Sequence, residues 1–444
     1  MENDSQPNRK FSFRNVLFWS IISAAFIGPG TVTTASKAGA SFGLGLLWAL
    51  IFSIIATILL QESSARLTIA SGLNLGQVIK KKYGTKRGKW ITYLLFISIA
   101  VGCAAYQAGN LLGAASGILL TNKGFDINIV LILIALFVSV LLWNGKYKTI
   151  ANILGVVVAL MGGLFIFVAF NSNIGSTQVI EAITKPEFSS ASSLLVIGLI
   201  GTTIVPYNLF LGSGIGKGQS ISEMRSGISF AVIIGGLISI AILVVGTQVI
   251  GEYSFENLAS TLSENIGSWA AVFFAYGLFA AGFTSSITAP FAAAVTAQTL
   301  FQNDEDKSWN SNSRKFRSIW LTILWIGVLF GITGVKPIPA IIAAQALNGL
   351  LLPIVAFFLI EAINDETIIS KKYSNPFYIN LLLLLVLLVC CFLGLNNIFS
   401  ALQKIGILER IPSTILQLIK SILSILIVAW SALRLFSKKT NPNI

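Results

Sequence analysis

Phe26-Ile27-Gly28-Pro29-Gly30-Thr31-Val32-Thr33-Thr34 lies inside the first long apolar run of the chain. Gly201-Thr202-Thr203-Ile204-Val205-Pro206-Tyr207-Asn208 lies inside a later one. Proline removes an amide donor and clashes with the preceding turn, and the nearby glycines weaken the helix further. Both stretches therefore read as breaks within membrane-length helices. Non-helical backbone at bilayer depth persists only where protein or a water-filled cavity surrounds it. Paired breaks in corresponding helices are the sequence signature of a transporter's substrate site.

Working outward, apolar runs fall near 14–37, 46–69, 91–120, 127–143, 149–170, 192–214, 226–250, 266–300, 316–333, 338–361, 376–398 and 413–436. The breaks thus occupy the first and sixth runs. That offset is odd, so the two halves run in opposite directions through the bilayer. The expected architecture is all-α, an integral membrane bundle of about twelve spans. Its core is two inverted repeats with broken helices 1 and 6, followed by two further helices.

Composition agrees. The chain has 444 residues, of which 55% are hydrophobic and 11% charged. Soluble domains carry about 25% charged residues, so a soluble enzyme and a disordered chain are both excluded. There is no histidine, which removes His-ligated metals and His general bases. Cys103, Cys390 and Cys391 sit inside apolar runs without metal-ligand spacing and read as buried small side chains. No nucleophile–base pair or cofactor motif is visible, so an enzyme is not expected and no cofactor is called for.

The net charge of +13 follows the topology. With both termini cytoplasmic, Arg9, Lys10, Arg14, Lys80, Lys81, Lys82, Lys86, Arg87 and Lys89 fall inside, as do Arg314, Lys315, Arg317, Lys438 and Lys439. This positive-inside bias makes a nucleic-acid partner unnecessary and predicts a multi-pass inner-membrane protein whose partners are the bilayer and a small substrate. A monomer is favoured. Ser23-Ala24-Ala25 could mimic a signal cleavage site, but cleavage there would discard a helix and spoil the charge alternation. The chain divides into a cytoplasmic tail 1–13, a transporter core 14–361, two additional helices within 376–436 and a tail 437–444. The polar stretches 76–90, 171–191, 251–268 and 302–317 read as loops.

Several motifs then share one resemblance. Gly28-Pro29-Gly30-Thr31, Ala38-Gly39-Ala40, Leu46-Leu47-Trp48, Gln61 and Ser64-Ala65-Arg66-Leu67 resemble the NRAMP (natural resistance-associated macrophage protein) metal transporters. So do Val205-Pro206-Tyr207-Asn208-Leu209, Gly282-Phe283-Thr284-Ser285-Ser286 and Gln345 to Leu350. The resemblance covers the first ten spans. It implies the leucine-transporter-like fold and alternating access. It also implies a divalent-metal (Mn²⁺, Fe²⁺ or Mg²⁺) substrate for a typical member. Yet none of that family's transition-metal ligands is retained. Where the family reads Asp-Pro-Gly-Asn, with metal-binding Asp and Asn, this chain has Gly28 and Thr31. Where the family reads Met-Pro-His, it has Val205 and Tyr207. The family's acidic pair in the third helix falls on Cys103 and Tyr106, a further acid on Ala35 and a Gln on Lys37.

The substitutions point to a changed substrate. A divalent cation needs anionic or soft ligands to offset its dehydration. The neutral groups left here, such as the carbonyls of Ala25 and Thr202, suit a weakly bound Na⁺ or K⁺. Pro29 and Pro206 stand at the first position of their half-helices, whose N-termini carry about half a positive charge each. Without a carboxylate at Gly28 that field faces the cavity, and a helix N-terminus suits an anion. The expected function is a secondary-active transporter of a small anion, bicarbonate first among them. Its expected binding residues are Gly28, Pro29, Gly30, Thr31, Thr33, Thr202, Thr203, Val205, Tyr207, Asn208 and Gln345. Thr34 supplies a further hydroxyl, and Lys37 is expected to steer anions from outside. In the wider fold a sodium site falls on Ala25, Thr284, Ser285 and Ser286, which makes Na⁺ the candidate coupling ion. A metal transporter with an altered site is the alternative reading.

Overall fold

The computed structural model describes residues 27–145, 147–215, 220–302, 307–404, 407–408 and 411–437. These residues form fifteen α-helices and no strand. In chain order they are α1 (Pro29–Phe42), α2 (Leu47–Ser71), α3 (Leu75–Thr121), α4 (Ile127–Asn144) and α5 (Tyr147–Phe170). Next come α6 (Ser176–Thr184), α7 (Ser193–Thr203), α8 (Pro206–Ile215), α9 (Ile221–Gly246) and α10 (Phe255–Ile266). The last five are α11 (Trp269–Phe301), α12 (Arg314–Gly331), α13 (Pro337–Ile363), α14 (Phe377–Lys404) and α15 (Ser413–Ser437).

Among the described residues, ten elements are long and apolar enough to cross a bilayer, α7 and α8 counting together as one. The first and ninth expected spans supply the rest. α1 is the described half of the first run, and residues 14–26 lie outside the described residues, as do both expected tails apart from Ser437. α12 is a full helix whose first turn carries Arg314, Lys315 and Arg317.

Helices α4 and α5 show how the sequence places them at the rim. Leu133, Leu136, Phe137 and Val140 of α4, and Ile153, Val156, Leu160 and Phe167 of α5, are exposed. Such an apolar outer face is stable only against lipid. The inner helices invert that pattern. The α7–α8 segment is almost wholly buried, and α1 is buried from Pro29 to Ser36. α1 packs on α7, α9 and α13, while α3 packs on α11, α12 and α13.

Three stretches read as loops are helical. Residues 76–90 continue α3, which bends at Gly84, where φ is 75°. Only a residue without a Cβ adopts that conformation cheaply, so the kink is written into the sequence at that point. Residues 171–191 contain α6, and 251–268 contain α10. α10 is amphipathic: Phe255, Leu258, Ala259 and Leu262 are buried, and Ser254 caps it through the Asn257 amide at 3.0 Å. High polarity hid these short helices, because their charged faces point away from the bundle. In 302–317, a 3₁₀ turn (Lys307–Trp309) precedes α12.

Candidate functional site

The two breaks meet in the middle of the bundle. α1 begins at Pro29 with Gly28 extended before it (φ −128°, ψ −174°), and no side chain caps this end. α7 ends at Thr203, Ile204 and Val205 are non-helical, and α8 restarts at Pro206. The hydroxyls of Thr31 and Thr202 are 2.9 Å apart, which ties the first half-helix to the second break. No acidic residue stands in the first turn of α1 or of α8.

Two neighbours close over the α1 terminus. A Cβ built on Gly28 would lie 2.9 Å from Ser285 Oγ of α11. A Cβ on Gly30 would overlap the side-chain amide of Gln345 from α13. Gln345 is buried, and its Oε1 has no partner among the described residues. The amide therefore lies across the start of α1 with an acceptor unused. Tyr106 donates its hydroxyl to the Gly201 carbonyl at 3.0 Å and meets the Tyr207 ring edge-on, with centroids 6.0 Å apart.

The structure thus brings together Gly28, Gly30, Thr31, Thr202, Ser285 and Gln345. The other expected residues are distributed around them. Pro29 packs against Gly113 of α3. Thr33 and Asn208 are buried, and the Thr33 hydroxyl and the Asn208 amide have no partner among the described residues. Thr203 is turned into the helix framework: its hydroxyl bonds Leu199 O at 2.9 Å, and its carbonyl accepts from Thr57 at 3.3 Å. Val205 and Tyr207 are buried at the break. The Thr34 methyl group packs against Gly198.

Among the expected sodium-site residues, Ala25 lies outside the described residues. The Thr284 hydroxyl donates to Ala280 O at 2.8 Å within its own helix, whereas the buried Ser286 hydroxyl has no partner among the described residues. Lys37 stands 5.5 Å above the Tyr253 ring and lines a cavity of about 1080 Å³ at the end of the bundle toward which α1 runs. Lys123, Lys336, Asp126, Glu252 and Glu256 line the same cavity. It reaches down to Ile342, one turn before Gln345.

Ion pairs gather at the other end of the bundle. Arg66 bonds Glu62 (Nε to Oε1 2.8 Å), the Tyr373 carbonyl and the Asn375 side chain, and Arg225 reaches the same Glu62 oxygen at 2.9 Å. Lys82 pairs with Glu361 at 3.5 Å and Asp365 at 3.3 Å, and Arg434 also reaches Glu361. An open cavity at the Lys37 end and ion pairs at the Arg66 end make the two ends of the bundle unlike.

Sequence reasoning missed three buried amides: Gln107 and Asn110 on α3 and Asn348 on α13. Both polar atoms of the Gln107 side chain, and the Nδ2 atoms of Asn110 and Asn348, have no partner among the described residues. Their signal was present in the sequence, as amides in otherwise apolar spans, with Asn348 one helical turn after Gln345.

Comparison with known proteins accounts for this arrangement. Residues 20–400 match the family model of natural resistance-associated macrophage protein-like proteins. The chain belongs to this family. A divalent metal cation transporter MntH from Verminephrobacter eiseniae is 24% identical over 411 residues, covering 87% of this chain and 88% of the relative. The MntH of Erwinia tasmaniensis is 25% identical over 317 residues, covering 67% and 75%. Solved structures of the Eremococcus coleocola manganese transporter superpose with a TM-score of 0.71 at 18% identity, covering 98% of this chain and 96% of theirs. MhsT, solved with L-phenylalanine, superposes at 0.57 with 17% identity, covering 88% of this chain and 98% of MhsT. The fold is therefore leucine-transporter-like, and this NRAMP-family chain is a multi-pass membrane transporter.

The helix contacts set one stability expectation. A Cβ on Gly201 of α7 would overlap the backbone carbonyl of Gln345 and lie 2.6 Å from the Gly349 amide. Backbone cannot step aside as a side chain can. Gly201→Ala should therefore cost about 1–3 kcal/mol or more through overpacking. The check is a lower yield of monodisperse protein and a lower melting temperature than wild type.

Proposed function

We propose that this transporter is secondary-active and carries a small monovalent anion, with bicarbonate as the best-matched substrate. The observation that supports this most is the uncapped, acid-free start of α1, overlaid by Ser285 and Gln345. A half-helix N-terminus carries about half a positive charge, and a buried anion there needs no other cation. Gly28 and Gly30 let the Ser285 and Gln345 side chains approach the backbone, and Thr31, Ser285 and the Gln345 amide supply donors. The unpartnered Gln345 Oε1 and Asn208 Oδ1 supply acceptors. Bicarbonate uses both kinds, since it carries one hydroxyl donor and two charged oxygens. Chloride and nitrate offer no donor to those acceptors.

The second reading is transport of a divalent metal ion, favoured by the names of the MntH relatives. The residues weigh against it. Among the described residues no cluster of three His, Cys, Asp or Glu exists. The buried acids Glu223, Glu361 and Asp365 lie toward the Arg66 end, away from the break. Neutral oxygens alone do not offset the dehydration of Mn²⁺ or Mg²⁺.

Flux into proteoliposomes separates the two. Protein-dependent internal alkalinisation under an inward bicarbonate gradient, corrected for CO₂ permeation with empty liposomes, supports the anion. Entry of Mn²⁺ or Mg²⁺ reported by an internal metal dye, without any bicarbonate effect, overturns it. The same assay with and without sodium tests Na⁺ coupling. Thr31→Val keeps the shape but removes a hydroxyl, and bicarbonate flux should fall roughly 2- to 10-fold, the worth of one hydrogen bond.

A further inference from the structure

The transport path does not use the most unusual charge in the membrane-spanning region. Lys420 sits in the third turn of α15, a helix whose other faces are apolar and largely exposed. Its Nζ donates to Asn396 Oδ1 at 2.6 Å, and Asn396 Nδ2 donates in turn to Ser193 Oγ at 2.7 Å. An ammonium has three donors, and an intramembrane cation without a counter-charge is costly. Lys420 lines a polar pocket of about 220 Å³ together with Ser190, Asn396, Ser400, Gln403 and Gln417. Among the described residues no acidic side chain lines that pocket.

Directly beside it runs an apolar cleft of about 430 Å³. Phe188 and Phe392, whose rings are 6.1 Å apart, line both spaces. The cleft continues along Leu388 and Val389 of α14 and Ile425 of α15, toward the bilayer centre. The polar pocket lies at the Lys37 end, where Ser189 and Ser190 lead into α7. A cation within a hydroxyl- and amide-lined pocket, continuous with an apolar cleft running inward, has the polarity of one ligand class.

We infer that the α14–α15 cleft binds an anionic phospholipid, with the headgroup phosphate on Lys420 and one acyl chain between Phe188, Phe392 and Val389. The phosphate supplies a counter-charge, and the pocket's serines and glutamines satisfy its remaining oxygens. The acyl chain fills apolar space that protein leaves open. Through Asn396 and Ser193 the headgroup is hydrogen-bonded to the first residue of α7, the half-helix that leads to the second break. The site is independent of which substrate the carrier moves.

The test uses the full-length protein, purified in neutral detergent, with its melting temperature followed during titration. Phosphatidylglycerol, phosphatidylcholine and inorganic phosphate are added separately. Two variants act on different parts of the site: Lys420→Gln removes the charge, and Val389→Trp fills the cleft while keeping it. Phosphatidylglycerol should raise the wild-type melting temperature more than phosphatidylcholine does, phosphate should have no effect, and both variants should lose the difference. Equal shifts from the two lipids overturn the inference, as does a phosphatidylglycerol shift retained in the variants. Phosphate reproducing the shift would mean a free-anion site and also overturn it. If one variant fails to fold, the other decides.

Discussion

Gly28→Asp should abolish bicarbonate flux, whereas Gly28→Asn should retain a measurable fraction of it. The two side chains are nearly the same size, and the new Cβ of each meets the Ser285 hydroxyl at 2.9 Å. Hydroxyls at the end of a short side chain rotate away cheaply, so both variants should fold. They differ by one negative charge at the start of α1. At a buried site, a like charge a few ångströms from the substrate costs several kcal/mol even at an effective dielectric of about 20. A loss of roughly 100-fold or more follows, since every 1.4 kcal/mol is about tenfold. The measurement is initial bicarbonate flux in proteoliposomes at matched protein density. Equal flux in the two variants would show that the substrate never approaches the α1 terminus, and the anion reading would fail. New Mn²⁺ binding in the Asp variant would show that the same cavity converts to a cation site by regaining one carboxylate.

Lys82→Met should lower the melting temperature by several degrees and sensitise the protein to acid. Lys82 lies between two buried carboxylates, Glu361 at 3.5 Å and Asp365 at 3.3 Å, and also donates to the Glu361 carbonyl. Removing one member of a buried ion-pair cluster leaves its partners uncompensated, at a cost of about 3 kcal/mol. Arg434 and Thr367 still serve the two acids, which keeps the loss from being larger. Burial pushes the Asp365 carboxyl up, but hydrogen bonds from Thr367 and the Lys82 charge outweigh it, and the net shift is downward. A carboxylate held low contributes stability that is present above its unfolded pKa of about 3.9 and is lost as pH falls through its folded value. Without Lys82 that loss should begin at higher pH. Lys82→Met combined with Glu361→Gln should recover part of the stability, and no recovery would place the cost in packing, not charge.

The breaks at Pro29 and Pro206 were legible in the sequence because proline and glycine act on their own backbone, and the odd offset between them implied the inverted repeat. What meets at the breaks was not legible. Gly30 and Gln345 are 315 positions apart, and their contact depends on how α1 and α13 are rotated about their axes. A hydropathy pattern does not set that angle when apolar residues run all round both helices. Lys82 and Glu361 pose the same problem: each is visible as a charge near a helix end, but their pairing follows from the Gly84 kink that folds the first turns of α3 across the bundle. The short helices α6 and α10 were lost for a different reason. Their polar residues outnumber the buried ones, although the spacing of Phe255, Leu258, Ala259 and Leu262 was there to be read.

The acid-free first turns of α1 and α8 have an electrical consequence. If the empty site is neutral, its return across the bilayer moves no net charge, so the membrane voltage acts only on the loaded step. A bound monoanion then moves one negative charge, and an interior-negative potential opposes its entry by about 2.3 kcal/mol per 100 mV. Accumulation against such a potential requires at least one cation to travel with each anion. With exactly one, the loaded step becomes electroneutral, and the carrier's rate should be indifferent to voltage.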